Sequence, residues 1–116
     1  MVQARLDEDT RFRLLRLLED RPELSQRQIA AELGLSLGGV NYCLKALVEK
    51  GLVKVRNFQA SERKLRYAYV LTPAGLTEKA GLTSRFLMRK MAEYEALRTE
   101  IETLKGEIER TQKEMG

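Results

Sequence analysis

The sequence predicts a mainly α-helical fold with one small β-hairpin and a long C-terminal helix, and three observations predict it. Three helix starts share one capping register, the hydrophobic period switches from helical to alternating after Leu52, and apolar residues recur in heptads from Leu87 onward. At 116 residues the chain has room for one small domain and an extension. An oligomer interface would supplement so small a core.

The first helix begins at Asp7, Glu8 and Asp9, whose charges suit a helix N-terminus. Phe12, Leu14, Leu15, Leu17 and Leu18 keep helical spacing behind them, and Pro22 marks the end. Ser25 caps a second helix from Gln26 to Leu33. Gln28, three residues on, completes a capping box, and Leu24 staples to Ile29. Ile29, Ala30 and Leu33 form its inner side, and Gly34 ends it in a left-handed turn. Ser36 repeats the cap for a third helix from Leu37 to Lys50. Leu35 faces Val40 there, and Val40, Leu44 and Leu47 point inward before Gly51 closes the helix.

Val53 and Val55, then Leu65, Tyr67, Tyr69 and Leu71, alternate with polar or small residues as strands do. The polar stretch from Asn57 through Lys64 reads as the hairpin loop between them. Thr72 is the third cap in the same register, with Leu71 facing Leu76 and Pro73 at the first helical position, where its missing N–H is harmless. Beyond it the chain reads as helix almost to its end. Gly75, Gly81 and Gly106 each weaken that helix by about 1 kcal/mol relative to Ala, which leaves a break near Gly81 open. The order is that of a winged helix-turn-helix domain over residues 1–80, with residues 81–116 as a dimerisation segment.

Composition narrows the function. The single cysteine allows no intrachain disulfide, compatible with a reducing cytosol. The absence of histidine removes the usual hydrolase base and the commonest zinc ligand. No apolar run approaches the roughly 18–20 residues of a membrane span, and no signal-peptide core stands at the start. A cytoplasmic, nucleoid-associated protein without cofactor, metal or catalytic site is expected. Lys and Arg outnumber Asp and Glu by 21 to 17. The excess is localised: residues 36–71 hold seven bases against two acids, a net +5, whereas residues 91–116 hold four against seven, a net −3. One compact basic segment suits a polyanionic partner.

Within that segment, two short helices joined by a tight glycine turn place the second where its N-terminal half enters a DNA major groove. Its outward set is Gly38, Gly39, Asn41, Tyr42 and Lys45. The two glycines disfavour the helix and make sense where a backbone lies close to a sugar-phosphate strand or a base edge. Asn41 can pair bidentately with adenine, Tyr42 can touch a thymine methyl or a phosphate, and Lys45 can reach guanine or phosphate. The hairpin crowds Lys54, Arg56, Arg63, Lys64 and Arg66 around a turn at Asn57, a wing suited to phosphates or a minor groove. Cys43 is expected as a small core residue, since no neighbour lowers its pKa as a redox sensor requires.

In the last helix Leu87, Tyr94, Ile101, Ile108 and Met115 fall at heptad position a, with Leu97 and Leu104 at d. Isoleucine at a with leucine at d favours two parallel strands. Lys90 and Thr111 are imperfect d residues. Glu93, Glu100 and Glu107 at g meet Arg98, Lys105 and Gln112 at e of a second copy, two of the three pairs being oppositely charged. Gly106 lies outside the seam.

The runs Asn41-Tyr42-Cys43-Leu44-Lys45-Ala46-Leu47, Glu49-Lys50-Gly51-Leu52-Val53-Lys54 and Leu71-Thr72-Pro73-Ala74-Gly75 resemble MarR-type regulators. Arg85-Phe86-Leu87 and Lys90-Met91-Ala92-Glu93-Tyr94-Glu95 extend the likeness to the small MarR-type group associated with bacterial exopolysaccharide gene clusters. The resemblance implies a dimeric winged-helix regulator of nearby promoters. Ser36, Gly38, Asn41, Tyr42 and Lys45 would face the major groove, and the basic residues around Asn57 would form the wing. The short N-terminal arm and coiled-coil tail depart from the wider family, whose terminal helices enclose a small-ligand pocket, so no effector is assigned. The expected partners are double-stranded DNA and a second copy of the chain. The alternative is a winged-helix adaptor whose coiled coil recruits a different protein.

Overall fold

A computed structural model of the chain describes residues 6–61 and 64–116, with backbone alone at 58–61 and 64–66. The elements follow as α1 (Glu8–Asp20), α2 (Gln26–Leu33), α3 (Leu37–Glu49), β1 (Val53–Ser61), β2 (Lys64–Leu71) and α4 (Pro73–Met115). They divide into two compact units, residues 1–83 and 84–116.

The helix starts of the first unit are capped as their sequences require. The Asp7 carboxylate accepts the Thr10 N–H at 2.7 Å, which holds its pKa below the ordinary aspartate value. Both halves of the Ser25–Gln28 capping box form. Ser36 Oγ accepts from Gly39 N at 3.0 Å. Gly34 ends α2 with φ of 67°, a left-handed conformation that favours glycine. The enclosed core is apolar: Phe12, Leu14, Leu15 and Leu18 of α1 meet Ile29 and Leu33 of α2, Val40, Leu44 and Leu47 of α3, and Val53. Leu17, expected with its neighbours, is only half-buried, because it stands on the flank of the stripe made by Leu14, Leu15 and Leu18.

The hairpin is longer than its hydrophobic pattern. β1 and β2 pair antiparallel from Val53↔Leu71 through Asn57↔Tyr67 to Gln59↔Leu65, with an irregularity before Ser61↔Lys64. The loop expected from Asn57 to Lys64 is therefore mostly strand, and Asn57 sits within β1 rather than at a turn. Beyond the core edge both faces of a hairpin meet solvent. Alternation then stops reporting on pairing, while the backbone ladder continues.

Helix α4 runs through Gly81 without interruption. Gly75 is required by packing rather than being a local weakness: a Cβ there would overlap the Leu52 carbonyl oxygen. Arg11 and Glu78 at 3.4 Å, and Glu19 and Lys79 at 2.6 Å, join α1 to the first turns of α4. The second unit is helical from residue 84 to Met115, and its large apolar side chains are exposed apart from the half-buried Phe86.

Two glycine substitutions in one helix should act with opposite sign. Gly75→Ala should destabilise the fold by about 3 kcal/mol, through steric conflict with a backbone that cannot move freely. Gly106→Ala meets nothing within 4 Å and should stabilise α4 by about 1 kcal/mol. Urea denaturation of the two variants checks both signs.

Candidate nucleic-acid interface

The cap at Ser25, the left-handed Gly34 and the Leu35 N–H bonded to the Ala30 carbonyl at 3.0 Å fix the turn between α2 and α3. That turn leaves the N-terminal half of α3 on the surface. Ser36, Gly38 and Lys45 are exposed, Tyr42 is 57% exposed, and Asn41 is half-buried. Gly38 faces open space where a side chain would stand.

Gly39 does not belong to the outward set. Gly39, Val40, Cys43, Leu44 and Leu47 share the buried face, the i, i+1, i+4, i+5, i+8 spacing that a helix turns to one side. Of the two adjacent glycines, only Gly38 is positioned for a close approach from outside. Cys43 is fully buried, and its thiol pKa is raised, first by burial and then by the Asp7 charge. Both effects oppose thiolate formation, the reverse of what a reactive cysteine needs.

Strand alternation sorts the hairpin side chains. Val53, Val55 and Asn57 share one face with Leu71, Tyr69 and Tyr67, their cross-strand partners. Lys54 and Arg56 share the other with Val70 and Ala68. On the first face Val55 and Tyr69 stand across from Asn41, Leu44, Lys45, Val48 and Glu49 of α3, enclosing an open groove of about 410 Å³. Tyr69 is held there by its hydroxyl, which accepts from Gln26 Nε2 at 2.9 Å. On the second face Arg56, Ala68 and Val70 border a hollow reaching Pro22 and Glu23.

The structure thus brings Asn41 and Lys45 together at one groove and sets Lys54 and Arg56 on the opposite side of the hairpin. Arg63 lies outside the described residues, as do the side chains of Lys64 and Arg66, whose backbones pair with Ser61 and Phe58. Among the described residues Lys45, Lys54 and Arg56 form no ion pair, so their charges are not already neutralised by protein carboxylates. Tyr69 and Gln26 were not singled out by the sequence. The period-2 register that sets Tyr69 beside Val55 was the available signal. The described residues contain no metal-binding cluster, and none of their helices is long and apolar enough to cross a membrane.

A family profile described as winged helix-turn-helix DNA-binding matches residues 7–54. No curated protein matches the chain in sequence. Among solved structures, a point variant of Staphylococcus aureus MepR is similar with a TM-score of 0.66 and 22% identity, over 97% of this chain and 81% of that one. Staphylococcus aureus MarR, solved with salicylate and kanamycin, is similar with a TM-score of 0.57 and 20% identity over 72% of this chain. Streptococcus pneumoniae FabT, solved in complex with DNA, gives 0.57 and 21%, also over 72% of this chain. The chain spans 54% of that MarR and 57% of FabT. These likenesses establish the winged helix-turn-helix fold.

The burial of Cys43 has a direct chemical consequence. In the native protein at neutral pH the thiol should resist an aromatic disulfide reagent and react fully once denaturant is added. A native rate matching the unfolded one would contradict the packing of α3.

Proposed function

We propose that this winged helix-turn-helix chain is a MarR-type transcriptional regulator that binds a specific duplex DNA site as a homodimer and catalyses nothing. One observation carries the reading: α3, with Ser36, Gly38, Tyr42 and Lys45 exposed, stands beside the hairpin across a groove running from Asn41 to Glu49, within the segment of net charge +5. A helix with a small, polar outer surface enters a major groove about 12 Å wide. Ser36, Gly38, Asn41, Tyr42 and Lys45 then meet base edges and the near strand. The hairpin, with Lys54, Arg56, Asn57, Arg63, Lys64 and Arg66, meets flanking phosphates or the adjacent minor groove. FabT, a protein of similar fold, has been solved in complex with DNA, which supports the reading.

In this reading residues 1–80 bind DNA and residues 81–116 pair two chains. Leu87, Tyr94, Leu97, Ile101, Leu104 and Ile108 supply the seam; Ile101 is 43% and Tyr94 62% exposed in the single chain, a stripe that a parallel two-stranded coil would cover. A two-fold dimer reads a roughly palindromic operator with half-sites about one helical turn, or a multiple of it, apart. Exopolysaccharide genes are the proposed targets, on sequence resemblance alone.

The reading is tested with the purified chain, duplex DNA from its own upstream region and a scrambled competitor, across about 50 to 200 mM salt. A preference of at least about 10³ at physiological salt is expected, with a logarithmic slope of roughly 0.9 per phosphate contact. Asn41→Ala should relax preference at one base position by about 1–3 kcal/mol. Arg63→Ala should weaken operator and scramble alike and lower the salt slope by about one contact. The opposite pattern would reverse the assigned roles of helix and wing.

Ile101→Lys sets like charges across the seam. It should convert the dimer to monomer in sedimentation equilibrium and lower operator affinity on the order of 10², by loss of bivalent binding. A variant that stays dimeric would move the interface away from this stripe.

A further inference from the structure

The hairpin face that looks toward α3 carries chemistry its basic residues do not account for. Exposure rises outward along that face, from Val53 at 2% through Val55 at 45% to Tyr67 at 63%. Val55 and Tyr69 form the hairpin wall of the groove, opposite Asn41, Lys45 and Val48. Tyr67 pairs with Asn57, one step beyond the Val55↔Tyr69 pair on the same face, and so stands at the outer lip. Its ring fills no core position.

A helix seated in a major groove and a hairpin seated in the neighbouring minor groove must straddle the sugar-phosphate strand that separates them. The groove between α3 and the hairpin is where that strand would run. Its walls suit the strand's two chemistries: Lys45 supplies donors for phosphate oxygens, while Val48, Val55 and the Tyr69 ring supply apolar surface for deoxyribose. Glu49 is the one acid of the lining, and its charge disfavours a phosphate beside it. Lys54 and Arg56 face the other way and cannot line this groove.

We propose that Tyr67 grips the DNA strand held between α3 and the hairpin, its ring packed on a deoxyribose and its hydroxyl donating to a phosphate oxygen. This assignment rests on the DNA-binding reading above. It adds an uncharged contact to an interface otherwise described by cations and base-reading side chains. Such a contact fixes the register of the protein on the duplex and carries no base preference of its own.

Binding by Tyr67→Ala and Tyr67→Phe in the full chain, with hydroxyl-radical footprints, tests the proposal. Tyr67→Ala should weaken operator and scramble equally, about tenfold, the equivalent of roughly 1.4 kcal/mol. Its salt slope should stay unchanged, because no charge is removed. Protection should be lost only at the sugars between the major- and minor-groove contacts. Tyr67→Phe, which keeps the ring, should retain that protection and lose a smaller share of affinity; it also serves if the alanine variant shows a lowered Tm. Wild-type affinity and an intact footprint for Tyr67→Ala would overturn the assignment while leaving the DNA-binding reading standing. A wild-type chain that binds neither duplex would overturn that reading, and this assignment with it.

Discussion

The first unit is tied together at the backbone of Leu52. Its N–H bonds to the Leu47 carbonyl at the end of α3, and its own carbonyl accepts from Thr72 N, both at 3.0 Å. Thr72 Oγ1 donates to the Gly51 carbonyl at 2.6 Å and accepts from Gly75 N at 3.0 Å. Four elements therefore meet within a few residues: the end of α3, the start of β1, the end of β2 and the start of α4. Gly75 permits the meeting because any side chain there would collide with the Leu52 carbonyl. Gly51, with φ of 74°, supplies the left-handed turn that brings the chain into the knot.

Hairpin orientation follows from that knot. With Val53 anchored in the core and opposite Leu71, the period of two leaves no freedom over which side chains face α3. Val55 and Tyr69 turn toward α3, and Lys54 and Arg56 turn away. A one-residue slip would exchange the two sets, burying charge and exposing Val53. The Gln26–Tyr69 hydrogen bond adds a side-chain tie between α2 and the hairpin. The spacing between helix and wing thus rests on backbone pairing and one polar contact, and among the described residues Lys45, Lys54 and Arg56 take no part in an ion pair.

The second unit obeys a different logic. Within a single helix apolar side chains have little to pack against, so the heptad residues from Leu87 onward stay exposed. Within it Arg89 and Lys90 lie over the Phe86 ring at 5.7 and 5.2 Å, and Lys90 pairs with Glu93 at 3.1 Å. Contacts of that kind are worth little at an exposed site. Burial of the heptad stripe is the one large stabilising term open to this segment, and under the proposed dimer a partner helix would provide it.

Helix positions, caps and the inward residues of α2 and α3 were determined by the sequence itself, because caps and the 3.6-residue period act over a few residues. Ser25 with Gln28, Ser36 with Gly39 and the left-handed Gly34 all act locally. Three features were decided only in three dimensions. Gly39 faces the core because the helix phase is set by everything α3 packs against, not by the residue. Asn57 is strand because its backbone pairs with Tyr67, whatever its side chain prefers. Gly75 is indispensable because of Leu52, a residue 23 positions earlier in the chain. The basic residues were visible as a cluster in the sequence, but their division between two faces required the register. Charge is a property of composition, whereas direction is a property of the fold.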